Sequence, residues 1–502
     1  MSSLLHEQRR PMLHKPPTPI EVVVASELEL RVRDVPVQML QALRAALTFD
    51  NPAHAQRVAL DVSTVDVPAR VSLARDERGS IFVPRGALSL LRSIARRSNV
   101  ALRFVNATKT ARANPCSIDD LRVELRPYQR EAVEAMLRRV QGYVRLPCGA
   151  GKTVLGCAAV LASGEAALVV VHTIDLAQQW SSTFSKLYGR RVRATPSLRP
   201  LEPGEIAVVM VQALHSAGRR ARPLLASAGC VLLDECHHAP ATTFRAVFEH
   251  CAARLRWGLT ATPERADGWS FALPLVLGPE LYGLTTADLL ALGHLVEPSI
   301  CAVHTRVAID FDQHTNRSGR LNMGSAVSAL CDDEQRNALL LDLAELAAHH
   351  ERSVLLLVPR KALAHTLAST LCERGVAAVA LTSAVPKTQR EGALQALRER
   401  RVQVAVATQL ADEGLDVPVL DTLINASTGR AAGRAIQRVG RVLRQAADKR
   451  SPIVVEIVDP GPFRSQWKSR REAYRSQLAL DVARSFSARE ARERLGALLG
   501  AA

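Results

Sequence analysis

Two tandem α/β layers on parallel sheets, preceded by a small α+β unit and followed by a basic helical tail, are what this sequence predicts. Three observations carry the expectation. From about residue 140 to 285, short apolar runs alternate with polar or amphipathic stretches: YVRLP, AALVVVHT, IAVVMVQ, CVLLDE and LRWGLTAT. Continuous apolar runs of this length mark strands buried on both faces, the signature of a parallel sheet covered by helices. A second series, SVLLLVP, AAVALTS, VQVAVAT, LDTLINAS and PIVVEIVD, runs from 353 to 459.

In chain order, residues 1–115 form an accessory domain of unknown role, with few long apolar runs, mixed charge and a turn signal at IFVPRG. Residues 116–285 hold the first α/β lobe and 286–460 the second, the connection falling around 285 to 350. The segment 461–502, with RSQWKSRREAYRSQ and ARSFSAREARERL, suits a basic amphipathic helical tail. No repeat of fixed period is present.

Composition sets the class. With 502 residues, 47% hydrophobic and 23% charged, the chain can give each of about three domains a core. The N-terminus lacks the apolar run of a signal peptide and no segment is apolar enough to cross a bilayer, so a cytoplasmic protein with no membrane partner is expected. The nine cysteines contain no C-x-x-C pair, which argues against a disulfide framework or a zinc ribbon. A net charge of +16 gives a field that attracts polyanions.

The chemistry centres on CGAGKT, residues 148–153, which follows an apolar run and precedes a helix-compatible one. Gly149 and Gly151 let backbone N–H groups close on phosphates at a helix N-terminus. Lys152 can then reach the β- and γ-phosphates of a bound ATP, and Thr153 can coordinate Mg²⁺. The outermost glycine of the usual pattern is replaced by Leu146. CVLLDECHHAP sets Asp234 and Glu235 at the C-terminal end of an apolar strand, where α/β sheets bind ligands. Asp234 suits the Mg²⁺ shell and Glu235 the orientation or deprotonation of an attacking water. Cys236, His237 and His238, being adjacent, cannot all converge on one metal ion from a strand end.

Taken together these motifs resemble the superfamily 2 DExH helicases, and within them the XPB branch with its UvsW- and RadD-like translocases. LRPYQREAV at 125–133 resembles the adenine-reading segment, with Gln129 as the implied contact, and LPCGAGKT resembles that branch's own motif I, which explains Leu146. DECH is similar to motif II, LVVVHTIDLAQQW to motif Ia, GLTATPERADG to motif III, VATQLADEGLDVP to motif V and QRVGRVLR to motif VI. The match covers about 125 to 460, in order.

The resemblance implies two RecA-like lobes with ATP between them. On that basis Arg441 and Arg444 are the arginines the second lobe offers the γ-phosphate, with Gln437 on the same helical stripe. Gly414 and Asp416 approach the nucleotide, Thr408 touches nucleic-acid phosphate, and His237, Thr260 and Thr262 couple hydrolysis to lobe movement. The triplet after motif III reads Arg265-Ala266-Asp267 where the branch has Arg-Glu-Asp, a departure at a strand-separating element. The implied function is an ATP-dependent DNA helicase or translocase of 3′→5′ polarity, gripping the DNA backbone without regard to sequence. A DExH RNA helicase and a non-catalytic DNA-binding scaffold are the rival readings. Residues 1–115 hold no convincing nuclease motif, and neither protein partners nor oligomeric state is legible.

Overall fold

The computed structural model describes residues 19–59, 61–113, 115, 117–190, 192–193, 197–239, 245, 248–263, 267–315, 319, 321–408, 417–429, 432–443, 449–482 and 484–501. Each apolar run picked out above becomes a strand. In the first lobe β8 (Gln141–Arg145), β9 (Ala167–Val171), β10 (Ile206–Met210), β11 (Cys230–Leu233), β12 (Leu255–Thr260) and β13 (Glu280–Gly283) form a six-stranded parallel sheet in the order β10-β9-β11-β12-β8-β13. Its central strands are buried along their whole length, which is why they read as unbroken apolar runs rather than alternating ones.

The second lobe is also parallel, with strands β14 (Ser299–His304), β15 (Val354–Leu357), β16 (Ala378–Leu381), β17 (Val404–Ala407), β18 (Thr422–Asn425), β19 (Ile453–Val458) and β20 (Arg484–Ser487). Their order is β16-β17-β15-β18-β19-β14-β20. The last strand comes from the segment expected as a helical tail. Helices Pro462–Ala473 and Ala488–Ala501 flank it, and Ala491, Leu495 and Leu499, one face of the second helix, are buried in the core that also holds Phe486. The four-residue spacing that reads as a basic amphipathic helix is therefore an inward stripe, and the segment completes the lobe.

A fully buried carboxylate ties the first of these helices to the lobe. Glu456 on β19 accepts from Asn425 Nδ2 at 2.7 Å, Arg470 Nε at 2.9 Å and the Tyr474 hydroxyl at 2.5 Å.

The accessory domain is a mixed sheet with β1 (Ile20–Val24), β2 (Leu28–Arg31), β5 (Arg75–Glu77), β6 (Ser80–Val83) and β7 (Leu102–Asn106) in the order β5-β6-β2-β1-β7, beside a short antiparallel pair, β3 (Thr48–Asp50) and β4 (Arg70–Ser72), with the helix Pro52–Ala59 between them in the chain. Two buried arginines, one from each side, fasten this domain to the first lobe. Arg85 donates to Ala253 O at 2.6 Å and Arg254 O at 3.0 Å, while Arg256 reaches back to Ser26 O at 2.9 Å. Among the described residues no helix is long and apolar enough to cross a membrane.

Candidate active site

The phosphate loop leaves β8 and enters the helix Lys152–Ser163, with Gly149 at φ 87° and Gly151 at φ 74°, left-handed values that side chains other than glycine's strain to adopt. A Cβ on Gly151 would stand 2.5 Å from Gln129 Nε2, so close approach is the second reason for glycine there. Leu146, which fills the missing glycine's place, turns its side chain into the hydrophobic core instead of toward the loop, and its N–H donates to Thr260 O at 2.9 Å. The loop is pinned from outside by Tyr128 and Gln129, which both donate to Ala150 O at 2.9 Å. Gln129 Oε1 accepts from Arg126 N at 3.0 Å. Lys152 Nζ is folded back on Leu146 O at 3.3 Å, within reach of the loop it would leave to meet a phosphate.

Asp234 and Glu235 follow β11 directly. Asp234 accepts from Trp180 Nε1 at 2.7 Å and from Glu235 N at 3.0 Å. Burial, with the Glu235 charge adding to it, pushes the Asp234 carboxyl above its ordinary range, and Trp180 and Lys152 work against that rise. Glu235 sits at φ 48°, a left-handed value that costs a non-glycine residue energy. Burial would raise its carboxyl too, but the charge of Lys152 and the hydrogen bond and charge of His237 outweigh it and hold the group at about 2.

His237 joins this pair to the end of β12. The Thr260 hydroxyl donates to Thr262 O at 3.0 Å, so toward His237 Nδ1, 3.1 Å away, it can only accept. The same Nδ1 lies 3.4 Å from Glu235 Oε2. His237, Thr260, Thr262 and Glu235 thus form one connected chain, and His238 packs with tilted rings against both His237 and His172, the centroids 4.1 and 5.2 Å apart.

The second lobe meets this site through its helix Ala432–Val442. A Cβ built on Gly440 would lie 2.6 Å from Cys148 Cβ, so the helix backbone rests on the phosphate loop itself. Nearby the lobes are bridged by Arg390 and Asp175 at 3.6 Å. Gln437 and Arg441 belong to that helix, though their side chains, like Arg444, Gly414 and Asp416 as whole residues, lie outside the described residues. Thr408 is buried just beyond the C-terminal end of β17. Of the departing triplet only Asp267 is described.

Two contributors had no assigned role in the sequence reading: Trp180, and the Cys148–Gly440 contact. The buried stripe Ala177, Trp180, Phe184 marks the indole as core-facing, but nothing in its spacing says that it ends on a carboxylate.

Comparison with known proteins finds helicase families over both lobes. Residues 122–265 fit the family of type III restriction enzyme res subunits, and 335–446 the helicase conserved C-terminal domain. The chain is 28% identical over 376 residues to the DNA 3′-5′ translocase XPB2 of Sulfurisphaera tokodaii, which covers 68% of this chain and 82% of that one. This chain is a superfamily 2 helicase of the XPB-like branch. A second relative of this helicase is the DNA 3′-5′ helicase XPB of Mycobacterium tuberculosis, 28% identical over 382 residues, 72% of this chain and 65% of that one. Against several such relatives this helicase spans less than two thirds of their length.

In fold, this helicase is similar to S. cerevisiae Dbp5 bound to RNA and ADP BeF3, with TM-score 0.55, 14% identity, and 74% and 93% of the two chains covered. It is equally similar to the type ISP restriction-modification enzyme LlaBIII bound to DNA, with TM-score 0.55, 13% identity, and 82% and 36% covered. Both likenesses bear on the tandem RecA-like fold. The helicase is an ATP-hydrolysing enzyme, and its family uses ATP with a divalent metal.

Proposed function

We propose that this helicase couples ATP hydrolysis to 3′→5′ movement along DNA, separating or remodelling strands in DNA repair, recombination or defence. What supports the reading is the seat of the Ala432–Val442 helix on the phosphate loop, where Gly440 lies against Cys148. The site residues fit a nucleotide with its metal: two left-handed glycines leave a cradle, a lysine stands at its rim, and the buried Asp234 carboxylate adjoins the partly buried Glu235.

In this reading residues 116–285 are the ATP-binding lobe, 286–460 the second lobe, and 461–502 its continuation. Bound ATP would supply the γ-phosphoryl group to be cleaved, and its divalent ion the positive charge that offsets the phosphates. Gly149, Gly151 and Lys152 hold the phosphates, Gln129 reads the base, and Thr153 and Asp234 hold the ion. Glu235, whose carboxyl Lys152 and His237 hold low, is ionised in the resting site and orients or deprotonates the attacking water. Arg441 and Arg444, with Gln437, complete the site from the second lobe, alongside Gly414 and Asp416. His237 passes the state of Glu235 to Thr260 and Thr262 through the hydrogen bonds described.

DNA would be held by sugar–phosphate contacts, Thr408 among them, so movement is independent of sequence. A cytoplasmic setting fits this substrate. The test is phosphate release in the presence of single-stranded, duplex and forked DNA and of RNA at equal nucleotide concentration. Stimulation by DNA that vanishes in Lys152→Ala is the expected result; stronger stimulation by RNA, or full activity in Lys152→Ala, overturns it.

A further inference from the structure

Trp180 has no part in the chemistry above, yet it touches the metal-side carboxylate. Its side chain is fully buried on the helix Ile174–Tyr188, wedged against the phosphate-loop helix. A methyl on Gly156 would stand 2.5 Å from the indole Cη2 and 2.9 Å from Leu259 Cδ1, so glycine there is what admits the ring. Phe184 closes the far side with its ring centroid 6.1 Å away. Held on these sides, the indole donates Nε1–H to Asp234 Oδ2 at 2.7 Å, while the Glu235 N–H takes Oδ1 at 3.0 Å.

One donor on each oxygen fixes the carboxylate plane and leaves a lone pair on each oxygen free for a ligand. An indole suits this duty because it donates only and cannot itself compete for a cation. A tryptophan that merely filled the core would need a partner for its N–H, and a backbone carbonyl would serve: Trp257 does so, donating to Arg139 O at 3.0 Å.

We propose that Trp180 is a positioning residue that presents the Asp234 carboxylate to the divalent ion accompanying ATP. The proposal rests on the reading of Asp234 as the metal-side carboxylate. Outer-shell donors of this kind are worth about 10–100-fold in metal affinity.

The experiment measures equilibrium binding of a fluorescent ATP analogue to the full chain, in Mg²⁺ and in EDTA, for the parent and Trp180→Phe. The parent should bind more tightly in Mg²⁺. Trp180→Phe should lose about 10–100-fold of the Mg²⁺-dependent gain with its EDTA affinity unchanged. A variant that keeps the parent's ratio overturns the proposal. A parent with no Mg²⁺ gain overturns the metal reading of Asp234 itself, a distinguishable failure.

If Trp180→Phe does not fold, the parent labelled with 5-fluorotryptophan gives a second measurement. The Trp180 fluorine resonance, assigned by elimination from single phenylalanine variants of Trp257, Trp269 and Trp467, should shift when Mg²⁺ joins bound ADP. A resonance indifferent to Mg²⁺ overturns the proposal.

Discussion

Replacing Gly440 by alanine should uncouple the two lobes while leaving each folded. The new methyl carbon would sit 2.6 Å from Cys148 Cβ, against the roughly 3.5–4.0 Å at which two carbons attract. Neither atom is the end of a flexible chain, so the helix Ala432–Val442 must retreat from the phosphate loop by about 1 Å. A misplacement of that size can lower turnover by about 10²-fold, or about 2.7 kcal/mol of barrier. Stability should move the other way, since alanine exceeds glycine inside a helix by about 1 kcal/mol.

The assay is DNA-stimulated phosphate release, paired with nucleotide binding and a thermal melt. Expected are a large loss of turnover, unchanged nucleotide affinity and a melt that holds or rises. Adding Cys148→Gly removes the clashing carbon and leaves Cα 3.7 Å from the new methyl, an ordinary contact, so the double variant should recover. Full turnover in Gly440→Ala, or no recovery in the double variant, would refute this account of how the lobes meet.

Arg441→Ala should cut stimulated turnover by about 10³–10⁵-fold with nucleotide binding intact, read by single-turnover phosphate release. Arg470→Met strands the Glu456 carboxylate in the core and should cost about 3–5 kcal/mol in denaturant unfolding, while the added Glu456→Gln recovers much of it. Deleting 461–502 removes β20 from beside β14 and the face of Ala488–Ala501 from the core, so the shortened chain should aggregate or lose the second lobe's unfolding transition. Charge reversal at Arg390 breaks a partly exposed pair and should have only a small effect, within about 1 kcal/mol on the melt.

Much of the fold was legible because buried parallel strands announce themselves: VLLL and VAVA have little else to be. Strands with weaker patterns were not. β13, ELYG, is partly exposed at one edge, and β20, RSFS, carries a single buried side chain in a basic surround. In the site, Lys152, Asp234 and Glu235 could be picked out because phosphate chemistry demands those groups at those spacings. The partnership of Trp180 with Asp234 spans 54 positions and depends on Gly156 making room, a fact of packing that no local pattern contains. The same holds for Cys148 and Gly440, nearly three hundred positions apart in the chain, which meet only because a helix of the second lobe rests on the loop of the first.

The buried guanidinium groups of Arg85 and Arg256 have a mechanical corollary. Anchored to carbonyls on opposite sides of the seam, they make the front unit a rigid outrigger of the nucleotide-binding half. In the proposed cycle of lobe movement it would travel with the phosphate loop as one body, so a substitution that loosens either arginine should be felt on both sides of the seam.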